Sequence, residues 1–160
     1  ILRGEAVRRQ NFEIAVAEPE EEGWERLDSW QLFSEPLLLL VSRDHKFANR
    51  ASIDPASLVE QKFLRRRYCD ASERAMQCLH DNNVPIAQSH EVVADDDLVK
   101  MVEADLGIAL LPASTIAPST LKRAPIEGFP FERVVTLHAV AGRQRSPATA
   151  AFIRMLRAPN

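Results

Sequence analysis

The middle of the chain holds three arginines, a tyrosine and a cysteine in succession: Arg65, Arg66, Arg67, Tyr68 and Cys69. The residues before this run predict a strand over 62–65, and those after it predict a helix over 71–82. A loop at a helix N-terminus offers free amide donors and a positive dipole to an anion. A guanidinium from Arg66 or Arg67 adds a bidentate partner for a carboxylate. We therefore expect the run to help bind a small anion, the alternative being a solvated basic loop that faces the acidic stretch 20–22.

The two cysteines, Cys69 and Cys78, raise a second possibility, a redox switch. Cys69 follows the arginines and precedes the predicted helix, and both features make a thiol more reactive. If the residues between the cysteines are helical, the separation is on the order of 13 Å, whereas a disulfide needs Cα atoms within ~7 Å. Bridging would require the helix to unwind, and such a bond could switch the fold. The alternative is a cysteine that shapes a pocket and a second one in the core.

Other chemistries lack the residues that they need. Three consecutive aspartates, 95–97, point in different directions on a helix and cannot all reach one metal ion. The 4 histidines have no partners at a metal-ligand spacing, and the 5 glycines form no phosphate-binding loop. No glycine-flanked serine indicates a nucleophile. We expect no metal site, no cofactor and no catalytic residue, and therefore not an enzyme.

The composition further narrows the class of protein to which this chain could belong. The 160 residues are 46% apolar and 27% charged, which is typical of a globular domain. A net charge of -3 argues against binding nucleic acid mainly through phosphate neutralisation. No apolar run approaches the ~20 residues of a membrane span, and the charged residues near the start exclude a secretory signal there. We expect a cytoplasmic domain that handles a ligand or a partner protein.

The order of the predicted elements indicates an α/β fold with largely parallel strand pairing. Pro36 lacks an amide donor, so we expect the chain to bend or to change sheet there, between two strands. Asp70 is a good N-cap for the helix that follows, with Glu73 at the capping-box position. The predicted strands cover 12–17, 30–33, 37–41, 62–65, 86–93, 108–111 and 133–140, and the longer helices cover 71–82, 95–104 and 147–156.

Two connecting segments, 33–37 and 126–133, divide the chain into lobes. Residues 1–37 and 127–160 would form the first lobe, and residues 38–126 the second. A cleft between two lobes, with helix N-termini directed into it, is where α/β proteins bind small anions. We therefore expect the candidate site at such a cleft.

Several motifs in register resemble those of LysR-type transcriptional regulators. The stretch 97–112 is similar to the family's Val-x-Ala-Gly-x-Gly-Ile pattern, which an apolar pair and a proline follow. The stretch 11–16 is similar to the family's glycine-apolar-aspartate-apolar strand, and 35–48 to its crossing segment. The chain departs from these motifs where glycine, aspartate, proline and glycine are usual: Gln10, Glu13, Lys46 and Asp105.

This resemblance implies the effector-binding domain of such a regulator, a two-lobed fold similar to type 2 periplasmic binding proteins, with its first lobe incomplete. The family places a DNA-binding helix-turn-helix N-terminal to this domain, so DNA would be bound through that absent part. The start at Ile1, which reads as the end of a helix, fits a fragment. Family habit further implies a homodimer or homotetramer and a small-molecule effector as partners.

The resemblance also assigns residues to the cleft. It adds Ala17 and Glu18, after the first strand, and Ala94 and Asp95, before a helix, to the run of arginines. The acidic Glu18 would repel an anionic effector, and helix capping alone is the alternative for Asp95. The spacing of Cys69 and Cys78 is similar to that of the family's peroxide sensor. A solute-binding protein of a transport system and a thiol or peroxide sensor therefore stand beside the effector-binding regulator as alternatives.

Overall fold

The computed structural model describes residues 13–19, 27–67, 69–86 and 88–157. Strands and α-helices alternate along most of this part of the chain, which confirms the α/β class. The strands are β1 (Ile14–Ala17), β2 (Leu27–Val41), β3 (Lys62–Arg66), β4 (Gln88–Val92), β5 (Ala109–Pro112), β6 (Lys122–Ala124) and β7 (Glu132–Val140). The α-helices are α1 (Asp70–Asp81), α2 (Asp95–Glu103) and α3 (Pro147–Arg157), and a 3₁₀ turn covers Pro55–Leu58. None of the helices in these ranges is long and apolar enough to cross a membrane.

The chain folds into two compact units. Unit 2 runs from Glu35 to Arg133, and unit 1 contains the described residues up to Ser34 and from Val134 onward. The chain passes from one unit to the other within β2 and again within β7. The lobe boundaries expected from the sequence, 37/38 and 126/127, stay a prediction.

Strand pairing in unit 2 is mixed. β3 and β4 are parallel, and Ile108 joins β3 through a parallel bridge. β5 and β6 both pair with β2 in antiparallel orientation. The expectation of largely parallel pairing is therefore wrong. A parallel neighbour needs a crossover connection, and α1 and α2 supply crossovers only between β3, β4 and β5.

Alternate residues of β3 face two apolar clusters in unit 2. Phe63 belongs to the cluster that contains α1, together with Ala71, Ala75 and Leu79. Leu64 belongs to the cluster that contains α2, whose members include Leu98, Val99 and Val102. Both helices have apolar residues at helical spacing, so each buries one face and leaves the other to water. These clusters hold the N-termini of α1 and α2 beside the ends of β3 and β4.

Pro36 does not break β2. The strand continues from Leu27 to Val41, so the expectation of two separate strands on either side of this proline is wrong. Pairing with β5 begins at Leu37, and the carbonyl of Pro36 still accepts a hydrogen bond from the Ala113 amide, at 2.9 Å. The missing amide of Pro36 therefore falls just before this ladder starts, where the strand tolerates it.

Unit 1 joins β1 to β7 in antiparallel pairing and packs α3 on Leu137 and Ala139 through Ile153. Glu13, just before β1, lies at the N-terminus of α3. Its carboxylate accepts hydrogen bonds from the Thr149 hydroxyl and from the hydroxyl and amide of Ser146. The Thr149 bond above all, then those from Ser146, lowers the pKa of Glu13. Glu13, at a position where the motif of the resembling family usually has aspartate, thus links the start of β1 to α3 by hydrogen bonds.

Candidate functional site

The carboxyl ends of β3 and β4 form the candidate site, because α1 and α2 begin directly after them. The two strands pair in parallel with Arg65 opposite Glu91 and Arg66 opposite Val92. Arg66 therefore belongs to the strand, one residue beyond the strand predicted over 62–65, and the loop starts at Arg67. Strand alternation directs Arg66 to one face of the sheet, and Arg65 to the other.

Arg66 forms an ion pair with the first residue of α2. Its Nε lies 2.6 Å from Oδ1 of Asp95. The side chain of Arg66 is 23% exposed and that of Asp95 is 44% exposed, so the pair borders water. The structure therefore brings together two of the residues that the sequence assigned to effector binding.

Glu91 pairs with arginine on the opposite face of β3. Its Oε1 lies 3.3 Å from Nη2 of Arg65, and its Oε2 lies 3.9 Å from Nε of Arg67. Sequence reasoning did not include Glu91 among the site residues. The alternation of β3 and β4 was a usable signal, since a parallel register with Arg65 opposite Glu91 predicts this contact.

Neither helix at this edge carries a side-chain cap. Cys69 is the N-cap of α1 and Ala94 is the N-cap of α2, and neither side chain accepts a hydrogen bond from the helix. The capping box expected from Asp70 and Glu73 is wrong, because α1 starts one residue early and makes Asp70 its first helical residue. The N-cap side chain therefore occupies no first-turn amide of either helix, and such amides can donate to an anion.

Cys69 is the N-cap of α1, and Cys78 lies within that helix. Cys69 is fully buried in the apolar cluster of α1, whereas Cys78 is partly buried, with its sulfur 3.7 Å from Nδ2 of Asn82. Both are free thiols, and α1 is continuous from Asp70 to Asp81. A bridge between them is incompatible with this helix. Within the described ranges, no group of three or more His, Cys, Asp or Glu side chains is arranged to hold a metal ion.

The remaining residues that were predicted to line the site are four: Ala17, Glu18, Ala94 and Tyr68. Ala17 ends β1 and Glu18 follows it as a buried residue, both in unit 1. Ala94 is exposed beside Asp95 in unit 2. Tyr68 lies outside the described residues. That these residues line one site with the arginines stays a prediction.

Unit 2 contains a further charged cluster, around Glu35, that the sequence did not predict. Its carboxylate accepts hydrogen bonds from the Ser114 amide at 2.8 Å and the Ser114 hydroxyl at 3.1 Å. It also accepts two from Arg133, through Nε at 3.1 Å and through Nη2. Burial by itself raises the pKa of Glu35, but the hydrogen bonds from Ser114 and Arg133 and the charge of Arg133 together hold it below its ordinary value.

Comparison with known protein families identifies the family of this chain. The model of the LysR substrate binding domain matches residues 4–159. The chain belongs to this family. The expectation drawn from the motifs is thereby confirmed.

Individual LysR relatives are similar over parts of this chain. The RuBisCO operon transcriptional regulator of Acidithiobacillus ferrooxidans is 30% identical over 126 residues, which are 76% of this chain and 41% of that protein. The transcriptional dual regulator OxyR of Escherichia coli K12 is 33% identical over 89 residues, 54% of this chain and 29% of OxyR. The chain thus spans about two fifths of the first of these relatives.

A solved LysR domain shares the fold. The regulatory domain of CcmR from Synechocystis PCC6803, in complex with 2-PG, superposes with a TM-score of 0.80 at 23% identity. The match covers 95% of this chain and 75% of that one. At this identity the likeness establishes the fold, which is that of a LysR effector-binding domain.

Proposed function

We propose that this chain is the effector-sensing part of a cytoplasmic LysR-type transcription regulator, and that it is not an enzyme. A small anionic molecule binds between two lobes and contacts Arg66. The regulator binds DNA through an N-terminal domain and works as a homodimer or homotetramer. The observation that carries the proposal is Arg66 at the N-terminus of α2, whose N-cap makes no side-chain hydrogen bond, in a chain of the LysR family.

The chemistry of this edge supports an acidic ligand. First-turn amides of α1 and α2 donate hydrogen bonds, and the helix dipoles favour a negative charge. Arg66 adds a guanidinium that can donate to a carboxylate or phosphate. CcmR was crystallised with 2-PG, which makes that compound a reasonable member of a ligand panel.

The sensing mechanism follows from differential binding. A ligand that binds one arrangement of the lobes more tightly shifts the population toward it, by no more than its difference in affinity. Coupling to the DNA-binding domains then changes their spacing on the operator. The effector and the operator must therefore influence each other's affinity reciprocally.

A thermal-shift screen against small carboxylates, aromatic acids, amino acids and 2-PG tests the proposal. A ligand that binds only the native state stabilises it by about 2.7 kcal/mol at 100 times its Kd. We expect a concentration-dependent rise in Tm that Arg66→Ala removes, because the guanidinium is lost. Arg43→Ala is the matched control, since Arg43 is an exposed arginine of unit 2 paired with Asp44. Equal shifts in the wild type and Arg66→Ala would contradict the assignment of Arg66.

A thiol sensor is the second candidate function. The nine-residue spacing of Cys69 and Cys78 and the similarity to OxyR favour it. In the reaction, both thiols lose their hydrogens, a disulfide forms and peroxide is reduced to water. Mass spectrometry of peroxide-treated protein should then show a Cys69–Cys78 bridge and loss of helical signal, both absent in Cys69→Ser. Thiols that stay unmodified at peroxide doses that oxidise exposed cysteines would exclude this function. The burial of Cys69 favours that outcome.

A further inference from the structure

We propose that Asp95 is an intramolecular competitor that occupies Arg66 until an acidic ligand displaces it, and so lowers the affinity of this site for acid groups. The inference rests on the proposed function, which it deepens. It assigns Asp95 a role opposite to that of a ligand-binding group. The ion pair between Arg66 Nε and Asp95 Oδ1, at 2.6 Å, is its starting point.

The position of the pair makes displacement inexpensive. Asp95 is 44% exposed, and exposed ion pairs contribute little to stability because water and salt screen them. Asp95 is the first residue of α2, where a carboxylate is stabilised by the helix dipole whether or not it contacts Arg66. A released Asp95 therefore keeps a favourable position, and the helix does not depend on its pairing.

Arg66 is also the arginine whose carboxylate partner a ligand could replace most readily. Arg65 and Arg67 share Glu91 on the other face of β3. Arg66 is held by one carboxylate on the face where α2 begins, beside first-turn amides with no side-chain cap. An acid group that replaces Asp95 would meet both the guanidinium and these amides.

A ligand at this site must bind Arg66 well enough to displace a carboxylate. A monocarboxylate gains little at Arg66, because it only replaces the charge that Asp95 already supplies. A phosphate carries roughly -1.5 to -2 charges at pH 7 and three acceptor oxygens, so it competes better. We therefore expect the site to favour phosphorylated or dicarboxylic acids over monocarboxylates.

Titration calorimetry with inorganic phosphate, succinate and benzoate tests the competition. In Asp95→Asn we expect each probe to bind about 1.5- to 5-fold more tightly, as loss of one exposed ion pair predicts, and by a similar factor for all three. Asp96→Asn is the matched control: it removes the same charge from the same helical turn, and Asp96 is not paired with Arg66. Adding Arg66→Ala to Asp95→Asn should abolish the gain.

Each alternative result has a separate meaning. Equal gains in Asp95→Asn and Asp96→Asn would overturn the competition and leave a general charge effect. Weaker binding in Asp95→Asn would also overturn it, since Asp95 would then orient Arg66 for the ligand. If no probe binds the wild type or either variant, acid groups do not reach Arg66, and the acidic ligand class of the proposed function fails as well. Circular dichroism checks that each variant is folded.

Discussion

Asp105 follows α2 in the left-handed region of backbone conformation, with a φ of +56°. Glycine is usual here in LysR-type regulators, because it adopts positive φ without a steric penalty. Aspartate tolerates this conformation better than most residues. Its Oδ1 accepts a hydrogen bond of 2.7 Å from the buried hydroxyl of Ser42. The departure from the family motif is therefore offset by a contact that glycine could not make.

Two substitutions at Asp105 separate these effects. Asp105→Ala loses the hydrogen bond and keeps a Cβ at positive φ, so we expect it to lower the free energy of unfolding by about 2 kcal/mol. Asp105→Gly loses the same bond but relieves the backbone, so its change should stay within about 1 kcal/mol. Urea denaturation of both variants measures the difference. Equal destabilisation would show that the bond to Ser42 alone matters.

Among the elements, the turn between α2 and β5 approaches β3 closely at Gly107. The next residue, Ile108, donates to the Lys62 carbonyl at 2.9 Å and accepts from the Leu64 amide at 2.8 Å. A Cβ added to Gly107 would lie 2.7 Å from the Lys62 carbonyl oxygen and 3.0 Å from Cγ of Leu64. The close approach of this turn to β3 therefore requires glycine, although its φ is not positive.

Gly107→Ala should accordingly loosen the contact between β3 and β5. We expect a loss of about 1–3 kcal/mol in the free energy of unfolding, from overpacking against a backbone atom. The amides of Leu64 and Ile108 should exchange hydrogen faster, because they make the bonds beside the clash. Gly142→Ala is a useful comparison: its Cβ would meet nothing within 4 Å, so its strain comes only from a φ of +69°. Unchanged exchange at Leu64 and Ile108 in Gly107→Ala would contradict the argument.

At the scale of the molecule, Glu35 and Arg133 are the first and last residues of unit 2. Their ion pair, with Ser114 as a third partner, closes the unit at the two strands through which the chain enters and leaves it. Both side chains are largely buried, at 9% and 15% exposure. Removing one charge therefore leaves the other without compensation in a poorly hydrated position.

Glu35→Gln should destabilise the protein by about 3 kcal/mol at pH 7, as loss of one partner in a buried pair does. The pKa of Glu35 is lowered in the folded state, so its stabilisation is complete above the unfolded pKa of about 4.3. That stabilisation declines as the pH falls through the lower folded pKa. The difference in unfolding free energy between wild type and variant should thus shrink below about pH 4.3. Chemical denaturation across pH 3–7 measures it, with Glu132→Gln, an exposed neighbour, as the control.

The sequence was sufficient for the family, the α/β class and most helix and strand positions, because these depend on residues a few positions apart. Apolar spacing in α1 and α2 and the motif ending at Pro112 are local signals of this kind. It also brought the arginine run and Asp95 forward as site residues, and their role in binding stays a prediction. Strand direction, the continuity of β2 and the pairing partners were not available from such signals.

Those features depend on how segments that are far apart in the sequence come together in the fold. Glu35 bonds to Ser114 and Arg133, which are 79 and 98 positions away, and no periodicity links them. Arg65 meets Glu91 only because β3 and β4 pair in one register. The sequence thus contains the charges near the ends of β3 and β4, but folding decides which charge each arginine contacts, since burial and register place the side chains in space.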